Sequence, residues 1–335
     1  MKVVTFGEVM IRFNPERSLR ILQTNKFEAT LAGSEANVSV SLANYGVDTS
    51  FVTKLPTHEM GDFVINEMRK YGVDMSDTVR GGSRVGIFYL EKGASQRASK
   101  VIYDRAGSAI ATAASEEFDW DKILDGASWF HFTGITVALG ESMYNACLSA
   151  CKKAKEKGIT VSCDINYRSQ LWSMEKAGEV MASLMPYVDV CINADIFGIS
   201  VKHFNDDGSF NTEGYIESAR ELTRRFGFKK VAITLRNNIS ADDNILGGLL
   251  YDAESDTADI SKEYAVHIVD RVGGGDAFSG GLIYALGSGY SNKDAVEFAV
   301  AADCLKHSVN HDFSMATVGE VRALMGGDAS GRIKR

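Results

Sequence analysis

An α/β protein built on one mainly parallel sheet flanked by helices is predicted, because short apolar, β-branched runs alternate with longer amphipathic stretches along most of the chain. Two clusters of polar-interrupted strands break that alternation and predict a small antiparallel β lid on the main sheet. A Gly-Gly-Gly-Asp turn directly before an apolar helical stretch predicts an anion-binding helix N-terminus late in the chain.

The buried strands are expected at 3–6, 50–54, 129–132, 160–164, 188–193 and 230–235, where Val, Ile, Phe and Cys run together. Helical spacing of apolar residues falls between them, at 34–45, 61–70, 142–157, 176–185 and 212–226. The lid strands are expected within 11–27 and 84–105, where they would cover a ligand and exclude water. Strands at 246–251 and 264–267 precede the glycine turn, and helices at 277–286 and 292–307 follow it. No repeat or low-complexity linker divides residues 1–335, so one domain with an inserted lid is expected.

Composition narrows the function classes. The net charge is -8 and no basic stripe dominates, which argues against nucleic acid or an anionic membrane as the main partner. The chain opens into a strand with no apolar leader and has no run of about 18 apolar residues, so a cytoplasmic protein is expected. Cys147, Cys151, Cys163, Cys191 and Cys304 form no Cys-x-x-Cys pair and read as reduced core thiols. His131, His203, His267, His307 and His311 are scattered, which speaks against a structural zinc site.

The richest segment is Asp270-Arg-Val-Gly-Gly-Gly-Asp-Ala-Phe278. Gly273, Gly274 and Gly275 let backbone amides converge where side chains would block the approach, and the following helix adds the positive end of its dipole. An aspartate in the mouth of such a cradle repels an anion but suits a base that takes a proton from a hydroxyl attacking phosphorus. Taken alone, Asp276 reads equally well as a helix N-cap.

This segment resembles the second signature of the ribokinase-like (PfkB-type) carbohydrate kinases, and Leu31-Ala-Gly-Ser-Glu-Ala-Asn-Val38 resembles their Gly-Gly-x-x-x-Asn sugar-binding turn. The two lie in the family's order and the resemblance spans essentially the whole chain. It implies a ribokinase-like fold, ATP and Mg²⁺ as cofactors, Asp276 as catalytic base and Gly273–Gly275 as the anion hole. Monovalent-cation dependence stays open. Tyr89 in Gly86-Ile-Phe-Tyr-Leu90, Tyr103-Asp-Arg-Ala-Gly-Ser-Ala109 and Asp164-Ile-Asn-Tyr-Arg-Ser-Gln-Leu-Trp172 resemble segments of the 2-keto-3-deoxygluconate kinases. That branch implies sugar-acid contacts from Gly33, Asn37, Tyr89, Tyr103, Arg105, Arg168 and Asp312, and nucleotide contacts from Asn166, Asn193, Thr234 and Arg236. Two arginines suit a carboxylated sugar better than a neutral hexose.

Departures from the pattern are visible. Arg271 and Gly274 replace a Thr and an Ala of the signature, and the strand end at 234–238 lacks the family's glycines. The family's Asn-x-x-Glu segment survives only as Asn193-Ala-Asp-Ile196, which leaves Asp195 as the candidate for holding a metal-bound water. The expected activity is ATP-dependent phosphorylation of the terminal hydroxyl of 2-keto-3-deoxygluconate. The alternatives are kinases for fructose, 2-ketogluconate or 5-keto-2-deoxygluconate, or a non-catalytic sugar-acid binder. A homo-oligomer, with a dimer through the lid, is expected because projecting edge strands need covering.

Overall fold

The computed structural model describes residues 1–328. The chain runs β1 (Lys2–Phe6), β2 (Met10–Pro15), β3 (Phe27–Ala32), α1 (Ser34–Asn44), β4 (Asp48–Val52), β5 (Lys54–Leu55), α2 (Glu59–Lys70), β6 (Val79–Arg80), β7 (Gly86–Glu91) and β8 (Lys100–Asp104). It continues through α3 (Trp120–Ile123), β9 (Trp129–Thr133), α4 (Gly134–Val137), α5 (Glu141–Glu156), β10 (Thr160–Asp164), α6 (Met174–Ala182), β11 (Val190–Ile192) and α7 (Thr212–Phe226). The last part holds β12 (Lys230–Asn238), β13 (Asp243–Asp252), β14 (Thr257–Ile260), β15 (Tyr264–His267), α8 (Gly274–Gly287), α9 (Asn292–Lys306) and α10 (Val318–Met325).

The main sheet has the order β14-β13-β12-β11-β10-β9-β1-β4, with β15 also on β13. Its strands from β12 to β4 are parallel, and β13, β14 and β15 add antiparallel partners at one edge. Helices cover both faces, so β9 is buried at every position rather than at alternate ones. On one face Phe6, Phe130 and Phe132 pack with Cys147, Ala150 and Cys151 of α5 and with Leu222 of α7. On the other, Val3, Ile192 and Leu250 pack against α1, α8 and α9 through Val38, Phe278, Phe298 and their neighbours. Local signals set the helix ends. Helix α7, for example, starts where the Asn211 side chain accepts from the Gly214 amide and stops at Gly227, which takes φ +78°. Among the described residues no helix is long and apolar enough to cross a membrane.

The lid is a four-stranded sheet of order β3-β2-β7-β8. Its outer pairs are antiparallel, whereas β2 and β7 at its centre run parallel, because the chain passes through the main body between them. Of the stretch expected at 11–27, β2 is the strand proper, and its partner β3 begins only at Phe27. Residues between them form a polar loop with one turn of 3-10 helix at Ile21–Gln23. The tip of the β7–β8 hairpin docks on the main body, with the Ser95 amide donating to Asp242 Oδ2 at 2.6 Å and the Ala241 amide donating to Ser95 O at 2.8 Å.

Arg12, in the middle of β2, is fully buried. Its guanidinium donates to Asp270 Oδ2 at 2.6 Å, to Asp312 Oδ1 and to Asn14 Oδ1 at 2.5 Å. Lys92 at the end of β7 lies 3.1 Å from Asp270 Oδ2, and buried Lys306 donates to the Asp270 carbonyl at 3.2 Å. Burial raises the Asp312 carboxyl to about 6 despite Arg12, while Arg12 and the two lysines outweigh burial at Asp270 and hold it below the usual carboxylate range. Replacing Arg12 by Met keeps the bulk but strands two buried carboxylates. Urea unfolding at pH 7.5 is expected to show a loss of about 3–5 kcal/mol, whereas a loss below about 1 kcal/mol would show that the cluster is not a net constraint.

Candidate active site

Chemistry-bearing side chains gather at the C-terminal ends of the parallel strands, where an open α/β sheet places ligands. There a cavity of about 560 Å³ opens between the sheet, the lid and the N-terminus of α8. The backbone turns sharply after two strands, with Asn166 at φ +43° beyond β10 and Asn193 at φ +53° beyond β11. Asparagine tolerates this region better than most residues, and both positions line the cavity.

Helix α8 contributes the cavity floor. Gly273 caps it in the left-handed region at φ +86°, and a Cβ there would lie 2.1 Å from the Asp312 carbonyl oxygen, so no other residue fits. Around a Cβ on Gly275 there is open space, which leaves the loop backbone itself as the cavity surface. The Ala277 amide bonds to the Gly273 carbonyl at 2.9 Å, and helix geometry offers no acceptor to the amides of Gly275 and Asp276.

Asp276 sits in that first turn, and both its oxygens receive hydrogen bonds from α1. Ser34 Oγ donates to Oδ1 at 2.5 Å and Asn37 Nδ2 donates to Oδ2 at 2.6 Å. Burial raises the Asp276 carboxyl, and these two donors, Arg168 and Lys306 pull the other way. Asp164 is raised to about 7, by burial first and by the Asp276 charge second. It accepts from the Asn166 amide at 3.0 Å and from Ser279 Oγ at 3.4 Å. Gly33 lines the cavity, and its missing side chain lets β3 and α1 join against the Glu8 carbonyl, which a Cβ would meet at 2.1 Å.

Under the lid the cavity is lined by Met10, Phe88, Tyr103 and Arg105. Arg105 pairs with buried Glu8, which also accepts from Ser108 Oγ at 2.5 Å. Arg105 Nε remains buried without a partner, a donor directed at nothing in the protein. Arg168 stands exposed at the rim and donates to the carbonyls of Tyr167 at 3.0 Å and Asn166 at 3.4 Å. It has no ion-pair partner among the described residues. Asp312 reaches the cavity with Oδ1 already engaged by Arg12.

Tyr89 does not belong with these residues. Strand alternation turns Phe88 toward the cavity and Tyr89 to the opposite face, where it stacks on Phe13 with ring centroids 5.6 Å apart and meets Phe27 edge-on at 6.0 Å. Tyr89, expected at the sugar site, therefore does not line the cavity, and Phe88, one register position earlier, does.

At the far wall Asn193 Oδ1 accepts from the Thr234 amide at 3.0 Å and from Thr234 Oγ1 at 2.9 Å, tying the ends of β11 and β12. Ile196, which stands where an acid was expected, is in the core, and Asp195 lines the cavity instead. Desolvation raises the Asp195 carboxyl while the His203 charge pulls the other way, and no lysine or arginine forms an ion pair with it among the described residues. Arg236 and Arg271 both face this wall. Arg236 lies 3.8 Å from Asp303, and Arg271 reaches only the carbonyls of Ser240 and Ala241 at 3.4 Å. Burial and the Arg236 charge hold the Arg271 guanidinium below its ordinary value.

Residue patterns did not single out Arg12, Glu8, Ser34, Asp164 or the side chain of Arg271. Ser34 lies inside the glycine motif and Asp164 opens the Asp-x-Asn-Tyr-Arg segment, so the signal was present without a role. A charged residue in the apolar strand Met10-Ile-Arg-Phe13 was the available clue to Arg12.

Comparison with known proteins gives the family and the fold. Residues 1–308 match the model of the pfkB family carbohydrate kinases. A curated relative, the 2-dehydro-3-deoxygalactonokinase of Haloferax volcanii, is 35% identical over 335 residues, covering 98% of each chain. The crystal structure of the Thermotoga maritima 2-dehydro-3-deoxygluconokinase superimposes with a TM-score of 0.93 at 48% identity, covering 98% of this chain and all of that one. A fructokinase from Xylella fastidiosa with bound ATP shares the fold at a TM-score of 0.77 and 19% identity, covering 98% of this chain and 99% of that one.

Glu35 makes the site sensitive to pH through folding. Its Oε1 accepts from the Thr133 amide at 3.0 Å, Thr133 Oγ1 at 2.8 Å and Thr136 Oγ1 at 2.7 Å, which pins α1 to β9. Burial nevertheless raises it from 4.5 to about 7. Between those values the native state holds a proton that the unfolded chain releases, so stability falls as pH rises through that window. Glu35→Gln is expected to gain on the order of 3 kcal/mol relative to wild type between pH 4.5 and pH 8. Parallel pH-dependent melting curves for the two proteins would contradict it.

Proposed function

The chain belongs to the pfkB family of carbohydrate kinases, and on that footing we propose that it transfers the γ-phosphate of ATP to the terminal hydroxyl of 2-keto-3-deoxygluconate, giving the 6-phosphate. The observation that carries the reading is Asp276, a half-buried carboxylate fixed by Ser34 and Asn37 beside helix amides that have no acceptor in the helix.

The sugar acid lies under the lid with its terminal hydroxyl against Asp276. Asp276 accepts the hydroxyl proton as the oxygen forms its bond to the γ-phosphorus and the bond to the bridging oxygen of ADP breaks. The amides of Gly275 and Asp276, at the positive end of α8, stabilise the charge on the transferred group. Tyr103 and Phe88 pack along the sugar's deoxy carbon. The unpartnered Nε of Arg105 and the unpaired charge of Arg168 are assigned to its carboxylate and keto oxygens. Arg105 is already neutralised by Glu8, so Arg168 supplies most of the net attraction.

Asn166, Asn193 and Thr234 line the path assigned to the phosphates, and Arg236 with Arg271 receives the polyphosphate. Arg236 has only a 3.8 Å ion pair with Asp303 and Arg271 has none among the described residues, so an anion between the two guanidinium groups relieves their mutual repulsion. Magnesium, when bound, neutralises charge on the β- and γ-phosphates. Among the described residues no three side chains converge on one point as a metal cage, and Asp195 suits a cation held through water and phosphate oxygens. A dimer through the lid remains part of the proposal, supported by the half-buried patch of Phe13, Phe27 and Tyr89 on the lid face away from the cavity.

A second reading, the C4 epimer 2-keto-3-deoxygalactonate as substrate, is favoured by the similarity to the Haloferax volcanii relative. A coupled ADP-release assay with ATP and Mg²⁺ decides among 2-keto-3-deoxygluconate, its galacto epimer, 2-ketogluconate, fructose and ribose. Selective turnover of the 3-deoxy acids is expected; turnover of fructose would keep the kinase and remove the carboxylate contacts. Asp276→Asn is expected to lower kcat by about 10²–10⁴-fold with little change in KM for either substrate, and near wild-type turnover would remove the base from this residue.

A further inference from the structure

A short chain of hydrogen bonds ends on the base. Asn166 Nδ2 donates to Ser34 Oγ at 2.8 Å, and Ser34 Oγ stands 2.5 Å from Asp276 Oδ1. On the other oxygen Asn37 Nδ2 donates at 2.6 Å. An amide NH₂ can only donate, so Asn166 occupies a lone pair of the Ser34 hydroxyl and leaves its single proton to point at Asp276. Both bonds that α1 makes to the carboxylate then suit its ionised form.

We propose that Ser34 is a positioning residue that keeps Asp276 unprotonated and aimed at the substrate, its hydroxyl held in one polarity by Asn166. The inference rests on the kinase reading above and deepens it, because a general base is useful only if it enters each cycle without its proton. The opposite polarity, with Ser34 donating to the Asn166 carbonyl, would leave a 2.5 Å oxygen pair that only a protonated Asp276 could bridge. The charged groups facing Asp276 are Asp164 beyond β10, Arg168 on the following turn and Lys306 at the end of α9. Substitution at position 34 removes none of them. The serine hydroxyl is therefore the element that the experiment isolates.

The test is the titration of Asp276 itself, read by ¹³C NMR of aspartate-labelled protein, with its carboxyl signal identified by loss in Asp276→Asn. In Ser34→Ala the Asp276 carboxyl is expected to titrate about one pH unit higher, the worth of one hydrogen bond to a charged group. The acid limb of kcat/KM for the sugar acid moves up with it, while KM for ATP stays at the wild-type value. Asn166→Ala lets the hydroxyl turn away and is expected to raise the same signal by a smaller amount, which keeps the proposal testable if Ser34→Ala does not fold. An unchanged Asp276 titration in a folded variant overturns the proposal, as does a resting enzyme in which Asp276 is already protonated at pH 7.5. The NMR reading needs no turnover, so failure on every sugar acid would count against the kinase reading and leave this one standing or falling by itself.

Discussion

Arg12 lies buried in the central part of the lid sheet and ends on two carboxylates that bracket the glycine turn, Asp270 before it and Asp312 beneath it. Two acids this close could not both be ionised in the interior without a cation between them, and neither could the guanidinium stand there alone. The cluster therefore forms only when β2, the 270–276 segment and residue 312 are all in place. The same packing puts the Asp312 carbonyl where Gly273 must have no side chain. Lid and anion cradle are thus positioned by one electrostatic constraint, and the docked hairpin tip at Ser95 and Asp242 fixes the other end of the lid.

Within the cavity the same physics is left unfinished. Asp164, Asp195 and Asp276 are all raised by burial, and Arg236 and Arg271 face each other's charge. Each group is more strained by itself than it would be with a phosphorylated nucleotide, a divalent cation and a hydroxyl between them. A phosphoryl-transfer site asks little covalent chemistry of the protein and much positioning of charge, which is the kind of arrangement found here.

Much of this was legible in the residues. The parallel sheet followed from apolar runs buried on both faces, and α7 fell at its expected bounds because its cap, amphipathic pattern and terminal glycine all agreed. The glycine turn and Asp276 stood out because three consecutive glycines before a helix have few other uses. β3 was harder to see, since only its last two residues are buried and the rest read as loop. Tyr89 faces away from the cavity because strand register decides which of two adjacent aromatics enters a pocket, and composition gives no register. Arg12 and Ser34 act through partners more than two hundred residues away or on another element, a relation that local pattern does not carry. The displaced acid at Asp195 was visible, but its access to the cavity followed only from Ile196 turning into the core.

The most direct test of the account is the crystal structure of the protein with 2-keto-3-deoxygluconate, Mg²⁺ and a non-hydrolysable ATP analogue. The terminal sugar hydroxyl is expected within hydrogen-bond distance of Asp276, the γ-phosphate on the amides of Gly275 and Asp276, and the sugar carboxylate at Arg168. A sugar acid bound with its terminal hydroxyl turned away from Asp276, or a nucleotide whose γ-phosphate lies outside the glycine cradle, would contradict it.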